Sequence, residues 1–266
     1  MAERLTSATR ILPWMLLLAG CASVHPPSTS FPRASTPFVS PPGLPEIRTI
    51  VVDAGHGGHD PGTGHHGLRE KDLTLDIARR LEAELTARGL SVKMTRNRDE
   101  FIALSRRPAM ANRLSADLFV SVHVNANRNR RVSGVTVYYP RESVVSDSAA
   151  FPPEVEADDV ALPTTTVRQV LWDLVLTRSR HSSTRLARQV CRALQDRLHV
   201  SCRGTHGARF VVLREAWMPA VLVEVGFVTN RAEAARLSSP SYRQTIAQGI
   251  ADGVIAYAQT LGTVPS

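Results

Sequence analysis

The alternation of short apolar runs with longer segments of helical periodicity limits the fold of this chain most. Residues 47–53, 118–124 and 220–225 are almost continuously apolar, which is typical of strands buried on both faces. Residues 72–88 carry leucine or isoleucine four residues apart, and Gly89 follows where a glycine often ends a helix. Strands that alternate with helices predict an α/β fold, with a single mixed, mostly parallel sheet and helices on both faces.

Similar patterns predict the remaining elements of the domain. Further helices are expected over residues 104–114, 167–176, 183–198 and 242–261, and further strands over residues 92–95, 132–139 and 210–213. The helix over residues 104–114 would direct Arg106, Arg107 and Arg113 toward solvent. Ligands of such sheets bind beyond the carboxyl ends of the parallel strands, so the functional site is expected there.

The first twenty residues have the order of a secretory signal. Arg4 and Arg10 precede an apolar stretch over residues 11–18, which is too short to span a bilayer. The sequence Leu-Ala-Gly-Cys that follows resembles the lipobox of bacterial lipoproteins, which would make Cys21 the lipidated first residue of the mature protein. An ordinary signal peptide with a chance cysteine is the alternative.

Residues 21–45 are rich in proline and serine and predict a flexible tether. The folded domain is expected over residues 46–263. The protein would therefore be exported to the periplasm and bound to a membrane through its lipid. Ala22, directly after the cysteine, is compatible with sorting to the outer membrane.

Charge and cysteine content give weaker indications. The net charge of +8 comes almost wholly from arginine, and no basic run interleaved with aromatic residues supports nucleic-acid binding. An anionic polymer such as a cell wall would suit this charge equally well. In an oxidising compartment Cys191 and Cys202 could form a disulfide, and two buried free thiols are the alternative.

Three of the predicted strands end in a group that can carry chemistry. His56 follows the first apolar run, His123 lies in the second and Glu224 lies in the third. If these strands lie side by side and parallel, their ends converge and the three side chains share one crevice. Glu70 adds a fourth group, because it lies at the start of the first long helix and so close to the end of the first strand.

These four side chains suit a hydrolytic metal site. Two imidazoles and a carboxylate that face an open position form a common catalytic zinc shell, and a second carboxylate can act as general base. Structural roles are the alternative, because a histidine can form a hydrogen bond with backbone groups and Glu70 can simply complement the helix dipole. Glu224 is harder to explain otherwise, since an unpaired buried carboxylate costs several kcal/mol. Four more histidines could replace a ligand: His59, His65, His66 and His206.

Four short motifs follow one another along the predicted domain. They read VVDAGHGG over residues 51–58, GLREK over residues 67–71, SVHVNA over residues 121–126 and PAVLVEVGF over residues 219–227. Together they resemble the zinc-dependent N-acetylmuramoyl-L-alanine amidase family of bacterial cell-wall hydrolases, over essentially the whole folded region.

The resemblance implies a reaction and a role for each residue. His56, Glu70 and His123 would bind one zinc ion per chain, and Glu224 would be the catalytic carboxylate. The substrate would be peptidoglycan, in which the enzyme hydrolyses the amide bond between N-acetylmuramic acid and the L-alanine of the stem peptide. The resemblance implies a role in cell-wall remodelling or daughter-cell separation.

The resemblance also bears on residues 141–180. Some members of the family that act in cell division carry an insertion here, with a helix whose acidic side chain occludes the zinc until a protein activator displaces it. The part over residues 141–166 is acidic and lacks periodicity. Glu154 or Glu156 could be the occluding ligand, and a solvated loop is the alternative.

The residues alone are also compatible with two other functions. One is a zinc peptidase that acts on stem peptides, because the same metal shell can hydrolyse any amide. The other is a catalytically silent wall-binding lipoprotein. Proteins that lose catalysis typically lose a ligand or the base, and all four residues are present here.

Overall fold

The computed structural model describes residues 47–141 and 165–262 of the chain. The predicted signal peptide, the tether with Cys21, and the acidic residues Glu154 and Glu156 lie outside these ranges. Among the described helices, none combines the length and the apolar character that a membrane crossing requires.

The described residues form strands and helices in alternation. The strands are β1 (Thr49–Ala54), β2 (Gly64–His65), β3 (Leu68–Arg69), β4 (Ser91–Met94), β5 (Leu118–Asn125), β6 (Val135–Pro140), β7 (Cys202–Ala208) and β8 (Ala220–Phe227). The helices are α1 (Glu70–Ala87), α2 (Arg106–Arg113), α3 (Thr165–Leu198), α4 (Val211–Arg214), α5 (Arg231–Ser238) and α6 (Pro240–Gly262).

Six strands form one sheet in the order β4-β1-β5-β8-β6-β7, and β2 pairs with β3 separately. Strands β4, β1, β5 and β8 are parallel, whereas β6 runs antiparallel to β8 and parallel to β7. The predicted mixed, mostly parallel sheet is therefore confirmed. From β1 the chain crosses through α1 to β4 and returns through α2 to β5 on the other side. Such a reversal opens a crevice at the carboxyl ends of β1 and β5.

Alternate residues of the central strands contribute to two cores, one on each face of the sheet. On the first face, Val52 and Val120 pack in the cluster that includes the apolar sides of α1, α3 and α6. On the second face, Val51 and Phe119 pack with Ala111 of α2 and with buried residues of α4. Because successive strand residues point to opposite faces, both sides need a helical cover. The expected helices on both faces are confirmed.

Some predicted elements are wrong. Residues 210–213 were expected to form a strand, but Val211–Arg214 form the short helix α4, in which Val212 and Leu213 are buried. A short apolar run does not distinguish a strand from a buried helical turn. Residues 165–198 form one helix instead of the two expected, and strand β7, which has few apolar residues, was not predicted.

The expectation that Arg107 faces solvent is also wrong. Arg107 is 1% exposed, and its Nη1 atom donates to Asp53 Oδ1 at 2.9 Å. Asp53 is completely buried at the end of β1, and a buried carboxylate requires a compensating partner. Arg106 and Arg113 on the same helix are exposed, as predicted.

Cys191 of α3 and Cys202 of β7 form a disulfide with their Cα atoms 5.8 Å apart. This separation lies in the usual range for disulfides. The bond ties α3 to the β7 edge of the sheet.

Candidate metal and active site

The carboxyl ends of β1, β5 and β8 bring three of the predicted site residues together. His56 lies just after β1, and its ring centroid is 5.0 Å from that of His123 in β5. His123 is the register partner of Glu224 in β8. The convergence expected for these three strand ends is therefore present in the fold.

Glu70 reaches the same place from the first residue of α1. Its Oε1 atom lies 3.0 Å from His123 Nδ1 and 3.2 Å from His56 Nε2. Backbone amides also hold this buried carboxylate, because Val124 donates to Oε1 at 3.0 Å and Thr63 donates to Oε2 at 2.9 Å. Glu70 is thus fixed between the two imidazoles.

The three side chains are placed so that together they could hold a metal ion. One ligand atom from each of His56, Glu70 and His123 lies within 4.8 Å of the others. Nitrogen and carboxylate oxygen donors suit zinc, and three protein ligands leave a position open for water or substrate. Within the described ranges, this is the one group of three or more potential ligands that meets this distance criterion.

The electrostatics of Glu70 favour its charged form. Burial raises the pKa of this carboxyl, but its contacts with His123 and His56 outweigh burial and lower the pKa to about 2. The pKa of His56 is raised, because contacts with Glu70 and Asp60 outweigh the lowering effect of burial. Glu70 is therefore ionised at neutral pH, as a metal ligand must be.

Glu224 has a different environment from Glu70. Its Oε2 atom is buried and has no hydrogen-bond partner in the described part of the chain. Burial raises its pKa to about 7, the nearby imidazole of His123 acts in the opposite direction, and the charge of Glu70 raises the pKa further. Buried polar atoms are almost always hydrogen-bonded, so this oxygen points to a partner that binds in the site.

The loop that carries His56 is held by contacts on several sides. Asp60 Oδ2 lies 2.8 Å from His56 Nδ1, so the Nε2 atom is the one that faces Glu70. Gly62 has a φ of +63°, and a Cβ atom there would lie 2.6 Å from Glu70 Oε2 and 2.7 Å from His56 Cδ2. Gly55 likewise leaves room for the ring of His123, whose Cε1 atom would lie 2.4 Å from an added Cβ.

Two buried arginines support the backbone of this loop. Arg96 donates to the carbonyl oxygens of Ala54 at 2.9 Å and Gly55 at 2.8 Å. Arg107 donates to the carbonyl oxygens of Ala54 at 2.7 Å and His56 at 2.9 Å. Neither arginine was expected at the site from the sequence, although Asp53 at the end of a buried strand was a signal that a cation lies nearby.

The four histidines that could have replaced a ligand lie elsewhere. His59 stacks on Phe101 with ring centroids 4.1 Å apart, and His65 and His66 lie together at the β2–β3 hairpin. His206 lies in β7 beside Tyr138. Among the described residues, none of these four histidines joins the group that could hold a metal.

Known proteins are similar to this chain in sequence and in architecture. The family model described as N-acetylmuramoyl-L-alanine amidase matches residues 50–256. N-acetylmuramoyl-L-alanine amidase AmiA of Escherichia coli (strain K12) is 36% identical over 219 residues, which cover 79% of this chain and 76% of that protein.

Solved structures give the same result. Amidase AmiC2 of Nostoc punctiforme superposes with a TM-score of 0.63 at 33% identity, over 80% of this chain and 98% of that one. An N-acetylmuramoyl-L-alanine amidase from Clostridium difficile 630 superposes with a TM-score of 0.64 at 30% identity, over 81% and 99% of the respective chains. The chain therefore belongs to the N-acetylmuramoyl-L-alanine amidase family.

Proposed function

We propose that this peptidoglycan amidase binds one zinc ion through His56, Glu70 and His123 and that Glu224 transfers the proton during hydrolysis. The bond cleaved is the amide between N-acetylmuramic acid and the L-alanine of the stem peptide. The observation that carries the proposal is the buried Oε2 atom of Glu224, which has no hydrogen-bond partner among the described residues and lies beside three converging ligand atoms. A structural carboxylate would have a partner at that depth.

Each side chain has a separate task in this mechanism. A bound zinc ion supplies a Lewis acid that activates water and polarises a carbonyl oxygen. Asp60 orients His56, and the two backbone amides keep Glu70 in place. Glu224 accepts a proton from the attacking water at its carboxylate and returns that proton to the L-alanine nitrogen as the carbon–nitrogen bond breaks.

The test combines metal analysis with product identification. Glu224→Gln preserves the shape of the side chain but cannot take up a proton. We expect this variant to retain about one zinc per chain and to release stem peptide from purified sacculi about 100- to 10,000-fold more slowly. Near-normal release by Glu224→Gln would overturn the role of this residue.

Controls separate the base from the metal ligands. Glu215→Gln changes a half-exposed glutamate that pairs with Arg214, and it should behave as wild type. His123→Ala should lose zinc as well as activity, and a chelator should stop the wild-type reaction until zinc is restored. Mass analysis of the products distinguishes an amidase from a peptidase, because the amidase alone releases intact stem peptides that begin with L-alanine.

The proposed location is supported by the sequence alone. Residues 1–20 would direct export to the periplasm. A lipid on Cys21 would then anchor the enzyme to the outer membrane, close to the peptidoglycan. Cys21→Ser should abolish incorporation of labelled fatty acid and release the protein from membranes; an unchanged membrane fraction would contradict the anchor. Occlusion by Glu154 or Glu156 and its relief by a protein activator remain predictions.

A further inference from the structure

Tyr138, His206 and Phe210 form a cluster of aromatic rings that the proposed reaction does not use; the first two lie in strands of the sheet, and Phe210 lies between β7 and α4. Tyr138 lies in β6, two residues after Thr136, which is the register partner of Glu224. His206 is the register partner of Tyr138 in β7, with ring centroids 6.0 Å apart. The ring of Phe210 meets that of Tyr138 edge to face, with centroids 5.2 Å apart.

The rings lie on the face of the sheet that carries Glu224. Side chains two residues apart on a strand point to the same face, so Tyr138 shares a face with Thr136 and its partner Glu224. Tyr138 also packs against the core cluster that contains Leu222, two residues before Glu224. Burial raises the pKa of Tyr138, and the negative charge of Glu224 raises it further, consistent with this proximity.

The cluster leaves apolar surface open to solvent. Phe210 is 42% exposed, His206 is exposed and Tyr138 is half-buried. Phe210 precedes helix α4, in which Val212 and Leu213 are buried against the sheet while Phe210 is not. Exposed apolar surface next to an active site is typical of a binding surface.

We propose that Tyr138, His206 and Phe210 form a stacking surface for the sugar ring of N-acetylmuramic acid, an assignment that rests on the proposed function. The scissile carbonyl belongs to the lactyl group on that sugar, so a carbonyl placed at Glu224 brings the sugar close to these rings. A sugar has apolar C–H faces and a polar rim. Tyrosine and histidine combine an apolar ring with a polar tip and match both features.

Two substrates that differ only in the sugar test the assignment. The first is a disaccharide tripeptide with intact N-acetylmuramic acid, and the second is the same tripeptide carrying only the lactyl group. We expect Phe210→Ala to raise KM for the first by about 3- to 10-fold and to leave kcat/KM for the second within about twofold. Phe210→Trp should restore the wild-type KM for the disaccharide tripeptide, because stacking needs an aromatic ring and not phenylalanine itself.

A matched control and a second variant keep the test decisive. Leu114→Ala removes an exposed apolar side chain that precedes the amino end of β5. This variant should leave kcat and KM for both substrates unchanged. His206→Ala should show the same dependence on the sugar as Phe210→Ala, and it replaces that variant if Phe210→Ala does not fold.

Two results would overturn the stacking surface. One is an equal decrease of kcat/KM for both substrates, which would mean that the rings contact the peptide or act structurally. The other is an unchanged kcat/KM for both substrates in Phe210→Ala and His206→Ala. If the wild-type enzyme with zinc released no tripeptide from the disaccharide substrate, the proposed function itself would fail, which is a distinguishable result.

Discussion

His56 adopts a backbone conformation that residues other than glycine rarely use. Its φ is 61°, and the carbonyl oxygen of the same residue accepts a hydrogen bond from buried Arg107. The ring is held in turn by Asp60, so backbone and side chain are both constrained. A strained residue that its surroundings hold in place is common at functional sites.

Asp60 gives the first prediction at the residue scale. Asp60→Ala removes the group that orients the His56 ring, so we expect zinc affinity to fall by about 10- to 100-fold. A competition titration against a zinc-binding dye measures this change. Asp72→Ala alters an exposed carboxylate that pairs with Arg69, and it is expected to leave zinc affinity unchanged. Equal affinity of Asp60→Ala and wild type would contradict the orienting role.

Two arginines of α2 give a matched pair of variants. Arg107→Ala leaves Asp53 buried without its ion-pair partner, so we expect the free energy of unfolding to fall by about 3–5 kcal/mol. Arg113→Ala changes an exposed residue of the same helix and should cost no more than about 0.5 kcal/mol. Urea unfolding of both variants makes the comparison. Similar losses in the two variants would show that the buried pair contributes little.

At the scale of elements, α3 and α6 approach each other closely at two glycines. A Cβ atom at Gly253 would lie 2.4 Å from the Cα atom of Val190, so the backbones themselves would collide. At Gly249 the nearest atom is the Leu194 Cδ2 atom at 3.0 Å, and that flexible side chain can move. The contact between these helices therefore depends on Gly253 more than on Gly249.

Alanine at each position tests this difference. We expect Gly253→Ala to lower the free energy of unfolding by about 1–3 kcal/mol, because the helices must separate. Gly249→Ala should be close to neutral, since the gain in helix propensity of about 1 kcal/mol offsets a small rearrangement. Thermal or urea unfolding measures both changes. A neutral Gly253→Ala would mean that α6 can shift away from α3 without cost.

The elements themselves differ in how far the sequence predicts them. Strands β1, β5 and β8 were predictable, because each is a local apolar run between turn signals. Strand β7 has glycines and polar residues at most positions, and its pairing with β6 depends on residues far away in the chain. Helix α4 was predicted as a strand, because four apolar residues fit either a strand or a turn of helix.

At the scale of the whole molecule, buried carboxylates that are paired with cations should make the fold less stable in acid. Burial raises the pKa of Asp53, but Arg107 and the hydroxyl groups of Thr95 and Ser121 outweigh burial and hold the pKa below its ordinary value. The pKa of Asp76 is also lowered: burial raises it, but Arg80 and Arg243 outweigh that effect. A carboxyl with a lowered folded pKa stabilises the protein above its ordinary pKa and loses that contribution as pH falls through the folded value.

The contribution of Asp53 and Asp76 to the free energy of unfolding should therefore be complete above about pH 5 and decrease below about pH 4. Urea unfolding at a series of pH values measures this curve. Asp53→Asn cannot titrate at this position, so its curve should fall less steeply than that of wild type in the acid range. An equally steep fall in both proteins would show that Asp53 does not contribute to the acid response.

The sequence by itself determined the fold class and the four side chains expected to meet at the carboxyl edge of the sheet. Periodicity and strand ends are local properties of the chain, and parallel strands bring their ends together whatever the details of packing. The tertiary structure decided the rest. Arg107 meets Asp53 across 54 positions of the chain. Several strands at once bury Glu224 Oε2 without a partner in the described ranges and bring the rings around Tyr138 together. Such contacts leave no periodic signal, because distant segments supply the partners and the burial.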